Sequence, residues 1–114
     1  MGTVLLVDDH PDSLDVLRQL LELDGRQVIT ANDGQEALQC VKSNPIPCLI
    51  VLDLIMPRMN GWEFLQNKNV DPRIARIPTI VVSATPSDLP AGATDQLTKP
   101  VDVDRLRALV SEYC

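Results

Sequence analysis

No apolar run approaches the roughly 20 residues that cross a bilayer, and residues 1–9 are a short apolar stretch that meets two acids instead of a leader. The expectation is a cytoplasmic chain with no membrane contact. Basic residues are few and scattered: ten Lys and Arg against sixteen Asp and Glu give a net charge of −6. Direct binding to nucleic acid, which draws on clustered Lys and Arg, is therefore not expected. Three cysteines, Cys40, Cys48 and Cys114, form an odd set without metal-ligand spacing. They are expected to be reduced, Cys40 and Cys48 as small core residues and Cys114 as an exposed thiol. A chain of 114 residues buries roughly two-thirds of its unfolded surface and needs no disulfide staple. Repeats, low-complexity tracts and linkers are also missing, so one domain over residues 1–114 is expected.

What is present is an alternation of short apolar runs with amphipathic segments. Residues 3–7 read as a continuously apolar strand. Leu14, Leu17 and Leu21 then recur at helical spacing until Asp24-Gly25. Residues 27–30 form a weaker second strand. Asp33 and Glu36 resemble a capping box that opens a helix burying Ala37, Cys40 and Val41, which Pro45 and Pro47 end. Residues 48–52 are the most hydrophobic strand, as expected of a central strand covered on both faces. A loop over 54–61 leads to a helix from about Trp62 that frays by Asn67 and Asn69. Trp62 is expected to pack. Strands over 78–82 and 95–98 follow, then a helix from about Asp102 with Val103, Leu106 and Val110 on one face. This order predicts an α/β fold, an open parallel sheet with helices on both faces.

Polar residues stand at the ends of four of the five strands: Asp8 and Asp9, Asp53, Ser83 and Lys99. A parallel sheet brings all these ends to one edge, where ligands bind. The second strand ends in Ala31-Asn32 without a comparable group, which suits a marginal strand. Each acid alone reads equally well as a turn former or helix cap; the matched placement of the whole set argues otherwise. Two carboxylates about 4 Å apart repel by on the order of 4 kcal/mol at an effective dielectric near 20. Lys99 supplies one compensating charge, and a hard cation such as Mg²⁺ supplies the rest. His10, the sole histidine, reads as a helix-entry residue before Pro11.

Four stretches, Val4-Leu-Leu-Val-Asp-Asp9, Ile50-Val-Leu-Asp-Leu-Ile-Met-Pro-Arg-Met-Asn-Gly61, Val81-Val-Ser-Ala84 and Leu97-Thr-Lys-Pro100, resemble the signature segments of response-regulator receiver domains. Asn32-Asp-Gly-Gln-Glu-Ala-Leu38 and Gly61-Trp-Glu-Phe-Leu65 extend the similarity over nearly the whole chain. The resemblance implies the flavodoxin-like, doubly wound five-stranded sheet of order 2-1-3-4-5, an order for which receivers are themselves a known example. It implies Asp53 as phosphoacceptor, with Mg²⁺ or Mn²⁺ held by Asp8, Asp9, Asp53 and the backbone carbonyl of Ile55. It also implies that Lys99 pairs with the phosphoryl group and that Ser83 and the amide of Ala84 bond it. The phosphoryl donor would be a sensor histidine kinase or histidine phosphotransfer protein in a two-component phosphorelay, docking near residues 11–21 and 100–104. The chain would be a switch of protein–protein interactions, not an enzyme beyond its own phosphoryl transfer and slow autodephosphorylation.

The sequence departs from the pattern in three places. Gln96 stands where receivers commonly carry an aromatic residue three positions before the lysine, and Tyr113 is out of register to replace it. Between Ser83 and Lys99 the chain is short and contains Pro86, Pro90 and Gly92, so the usual fourth helix is expected to be shortened or absent. Ile55, two residues after Asp53, cannot orient an attacking water, which predicts slow phosphoryl loss. Two other classes are considered: a receiver-like interaction module that signals by binding, and an aspartyl-nucleophile phosphatase. The latter usually carries a second acid where Ile55 stands.

Overall fold

The computed structural model describes residues 2–43, 46–84 and 88–114. Pro45 and Pro86, to which the sequence gives breaking roles, lie outside the described residues. Five strands, β1 (Thr3–Val7), β2 (Gln27–Ala31), β3 (Leu49–Asp53), β4 (Thr79–Ser83) and β5 (Asp95–Thr98), form one parallel sheet. Their order is β2-β1-β3-β4-β5, as the resemblance implies. Every residue of β1, β3 and β4 is buried, whereas β2 and β5 at the margins are partly exposed. That contrast follows from the residues: the three central strands are almost wholly aliphatic and must be covered on both faces.

The helices are α1 (Pro11–Leu23), α2 (Gly34–Lys42), α3 (Gly61–Asn69) and α4 (Val103–Tyr113). Side chains alternate along a strand, so each central strand feeds two cores. Leu5, Val7, Ile50 and Leu52 pack with Ala37 and Val41 of α2 and Phe64 and Leu65 of α3. Val4, Leu6, Leu49 and Val51 pack with Leu14 and Leu21 of α1 and Leu106, Leu109 and Val110 of α4. Helix ends follow local chemistry. Pro11 opens α1, and Asp24 closes it before Gly25 at φ +82°. Asp33 caps α2 by accepting from the Glu36 amide. The fully reciprocal capping box belongs to Asn60 and Glu63 of α3, one residue earlier than the expected start.

Among the described residues no helix lies between β4 and β5, in keeping with the expected loss. A turn around Gly92 (φ +90°) leads into β5 instead, and Asn69 at the end of α3 donates to the Ala91 carbonyl at 3.0 Å. Two expectations fail. Cys48 and Cys114 are not reduced core and surface thiols: they are bonded, with Cα atoms 5.7 Å apart. The packing of α4 returns residue 114 to the start of β3, a proximity that a separation of 66 residues does not reveal. Cys40 stays free and half-buried. Trp62 is 42% exposed, because Phe64 and Leu65, not Trp62, point into the core. No helix of the described residues is long and apolar enough to cross a membrane.

Candidate functional site at the carboxyl edge of the sheet

Strand register assembles the site. Val7 pairs with Leu52, so the next residues, Asp8 and Asp53, come level. Asp53 pairs with Val82, and Ser83 pairs with Thr98, which places Lys99 just beyond β5 on the same rim. One ligand atom each from Asp8, Asp9, His10 and Asp53 lies within 4.8 Å of the others. Lys99 Nζ donates to Asp53 Oδ2 at 3.1 Å, and the Ile55 amide donates to Oδ1 at 3.2 Å. The structure therefore brings Asp8, Asp9, Asp53 and Lys99 together. Ser83 ends β4, buried, and its carbonyl accepts from the Lys99 amide at 2.8 Å. Ala84 follows it, exposed.

Asp53 is only 3% exposed, and this burial pushes its carboxyl above the usual carboxylate range. The hydrogen bonds from Lys99 and Ile55 pull the other way, and the Asp8 charge adds to the rise. For Lys99 burial opposes the charge, yet the bond to Asp53 and the nearby carboxylates prevail and its ammonium is held more firmly than usual. The partners differ because Asp53 lies almost wholly out of water while a third of the Lys99 side chain remains in it.

His10 is a site neighbour that the sequence reading missed. Its Nδ1 lies 3.1 Å from Asp8 Oδ1 and equally far from Asp9 Oδ1. A carboxylate can only accept, so Nδ1 donates, and its hydrogen bond goes to Asp8. Asp9 Oδ1 is left buried without a hydrogen bond. An orphaned buried carboxylate oxygen is costly, and three carboxylates face one ammonium. The donor set fits a hard, oxygen-seeking dication. The signal in the sequence was position alone: His10 follows Asp8 and Asp9 and is the N-cap of α1.

The loop between β3 and α3 is fastened from outside the acid cluster. Arg58, at φ +64°, donates through Nε to the buried Asp33 carboxylate at 2.6 Å. The Gly34 amide donates to the Met59 carbonyl at 2.9 Å. A Cβ on Gly34 would lie 2.5 Å from that carbonyl oxygen, so only glycine permits the approach. Both contacts come from the Asn32-Asp-Gly stretch, which the sequence marks as a helix cap within the family resemblance without revealing either contact. Beside the acids, a cavity of about 420 Å³ opens between α1 and the β5–α4 connection; Asp53 and Lys99 line it with Asp12, Val16, Pro100 and Val103.

With this geometry in place, similarity to known proteins is specific. The model of the response regulator receiver domain matches residues 4–111. The chain belongs to the response-regulator receiver family. This receiver is 38% identical over 117 residues to an uncharacterized 14.6 kDa protein in the sodA1 3′ region of Leptolyngbya boryana, covering 97% of this chain and 88% of that one. It is 31% identical over 112 residues to Protein PilH of Pseudomonas aeruginosa, with 93% and 92% covered. Its structure resembles that of the Vibrio cholerae chemotaxis protein CheY4, with a TM-score of 0.89, 28% identity, and 100% and 99% of the two chains covered.

Proposed function

We propose that this receiver, one functional unit over residues 1–114, accepts a phosphoryl group on Asp53. The donor is the phosphohistidine of a sensor histidine kinase or histidine phosphotransfer protein. The reading rests above all on one observation: a buried Asp53 paired with Lys99 beside two further carboxylates at a strand-end rim. In the reaction an Asp53 oxygen attacks phosphorus in line, the nitrogen–phosphorus bond breaks, and the donor imidazole leaves. Mg²⁺ or Mn²⁺, held by Asp8, Asp9, Asp53 and the Ile55 carbonyl, would neutralise charge on the transferring oxygens. Lys99 moves from the carboxylate to a phosphoryl oxygen, while strand β3 holds the nucleophile in position. The Ser83 hydroxyl and Ala84 amide bond the remaining oxygens, and their movement carries the state to partner proteins.

Two features support the direction of attack and the lifetime of the product. The cavity along α1 and the β5–α4 connection leads to Asp53, so a donor helix seated there reaches the carboxylate. Ile55 is 65% exposed with an apolar side chain, which leaves water near the product unoriented. Incubation with acetyl phosphate and Mg²⁺ tests the proposal by intact-protein mass. Wild type gains one phosphoryl group, and Asp53→Ala gains none. Equal incorporation in both, or none in wild type, contradicts it; the latter result identifies a module that signals by binding.

A further inference from the structure

The Cys48–Cys114 pair sits at the end of β3 remote from Asp53 and takes no part in the acid site. We propose that these cysteines are a reversible thiol–disulfide couple, closed by a low-molecular-weight disulfide, that latches α4 to the sheet.

The backbone holds the two residues together by means other than the bond. Cys48 N donates to the Thr3 carbonyl at 2.9 Å, which ties it to β1, and Cys114 N donates to the Val110 carbonyl at 2.9 Å. Leu106, Leu109 and Val110 of α4 pack in the same core as Leu49, the residue after Cys48. Opening the bond therefore leaves the thiols adjacent, as a reversible couple requires. Both residues are half-buried, so a small reagent can reach them. Gly2 packs close beside Cys48: a Cβ there would stand 2.5 Å from Cys48 Cβ and 2.6 Å from its Sγ. Cys40 is excluded as a rival by the sheet itself, since it packs in the opposite core. Burial also raises the Cys40 thiol above its usual range, which keeps it protonated and unreactive.

The chemistry is two successive exchanges. One protein thiolate attacks a sulfur of the small disulfide, forms a mixed disulfide and expels one thiolate. The second protein thiolate attacks the protein sulfur of that mixed disulfide and expels the other. The protein loses two electrons and two protons, and one small disulfide becomes two thiols. Excess thiol reverses both steps. The closed loop contains β3, α3, β4, β5 and α4 together with Asp53 and Lys99, so the latch stiffens the chain that carries the site. This inference is independent of whether Asp53 is phosphorylated.

The test equilibrates the full chain in glutathione buffers from fully reduced to fully oxidised, blocks free thiols and digests with trypsin. The three cysteines fall on separate peptides, 27–42, 43–58 and 108–114. Expected is a 43–58/108–114 linked pair in oxidised buffer with 27–42 blocked, and loss of that pair in reduced buffer without unfolding. The melting temperature of wild type should be about 10 °C higher oxidised than reduced. That difference should vanish in Cys48→Ser and Cys114→Ser and persist in Cys40→Ser. Should Cys48→Ser fail to fold, Cys114→Ser at the end of α4 carries the comparison. A link through Cys40, glutathione on each cysteine without the linked pair, a bond that native protein does not reopen, or equal melting temperatures would overturn the proposal.

Discussion

At the carboxyl ends of β1, β3 and β5 stand Asp8, Asp53 and Lys99, charged groups gathered on one rim. At the opposite ends of β1 and β3 stand Thr3 and Cys48, joined by a backbone hydrogen bond and fastened to α4 by the Cys48–Cys114 bond. The same strands thus carry opposing priorities at their two ends. One end gives up stability to hold like charges out of water, where the proposed phosphoryl transfer needs them. The other end adds constraint to the chain. Stability and function are divided along the strand direction, about 17 Å apart over five residues at 3.3 Å each.

The largest test of that division concerns the backbone beneath the acids. A Cβ on Gly61 would lie 2.7 Å from Leu54 Cα and 2.8 Å from the Asp53 carbonyl oxygen. Gly61→Ala should cost roughly 2–3 kcal/mol and weaken cation binding, as seen by melting with and without Mg²⁺. An unchanged melting temperature would show that the rim backbone yields more easily than its packing implies.

Lys68 breaks the comparison, since it is a fully buried cation away from the rim. Its Nζ donates to the Ala75 carbonyl at 2.8 Å, and burial lowers its affinity for the proton. The folded state therefore disfavours the charged form, and stability rises with pH until the unfolded lysine also loses its proton, near 10.4. Lys68→Met keeps the volume, removes the charge and gives up one hydrogen bond. It should stabilise by about 1–2 kcal/mol at pH 7, with the gain shrinking toward pH 10. Denaturant titration at the two pH values measures it, and a loss at pH 7 would mean that the Ala75 contact outweighs the buried charge.

Asp53→Asn sharpens the contrast. Because burial raises the Asp53 carboxyl, folding favours its protonated form; that stability is complete below the unfolded value near 4 and is lost as pH rises through the higher folded value. Without cation at pH 7, Asp53→Asn should melt a few degrees higher than wild type, the gap closing as pH falls toward 4. Asp33 gives the smallest effect, of opposite sign. The Glu36 amide, then Arg58, hold its carboxyl below the usual range, so its contribution is present above about pH 4 and lost on acidification. Asp33→Asn retains the cap but not the charge and should cost about 0.5–1 kcal/mol at pH 7. A cost that persists unchanged at pH 2 would assign it to geometry instead of charge.

Strand periodicity and the polar residues at the ends of four of the five apolar runs made most of this legible in the sequence. Residues 48–52 are apolar throughout because β3 is central, and Asp8, Asp9, Asp53 and Lys99 converge because parallel strands share an edge. The prolines and Gly92 after Ser83 argued against a helix there, and the described residues have none. What stayed hidden depends on contacts distant in sequence or on side-chain direction. The Cys48–Cys114 bond needs the docking of α4, the Asp33–Arg58 pair needs the return of the loop over α2, and Trp62 faces outward because its neighbours fill the core. His10 was visible only as a helix-entry residue, since nothing in its spacing shows that its ring folds back onto Asp8.

The most direct measurement is Mn²⁺ binding followed by electron paramagnetic resonance, in which the signal of free Mn²⁺ falls as the ion is taken up. One ion per wild-type chain, displaced by Mg²⁺ and lost in both Asp9→Asn and Asp53→Asn, is the predicted result. Uptake that survives both substitutions, or no uptake by wild type, would contradict a shared cation at the acidic rim.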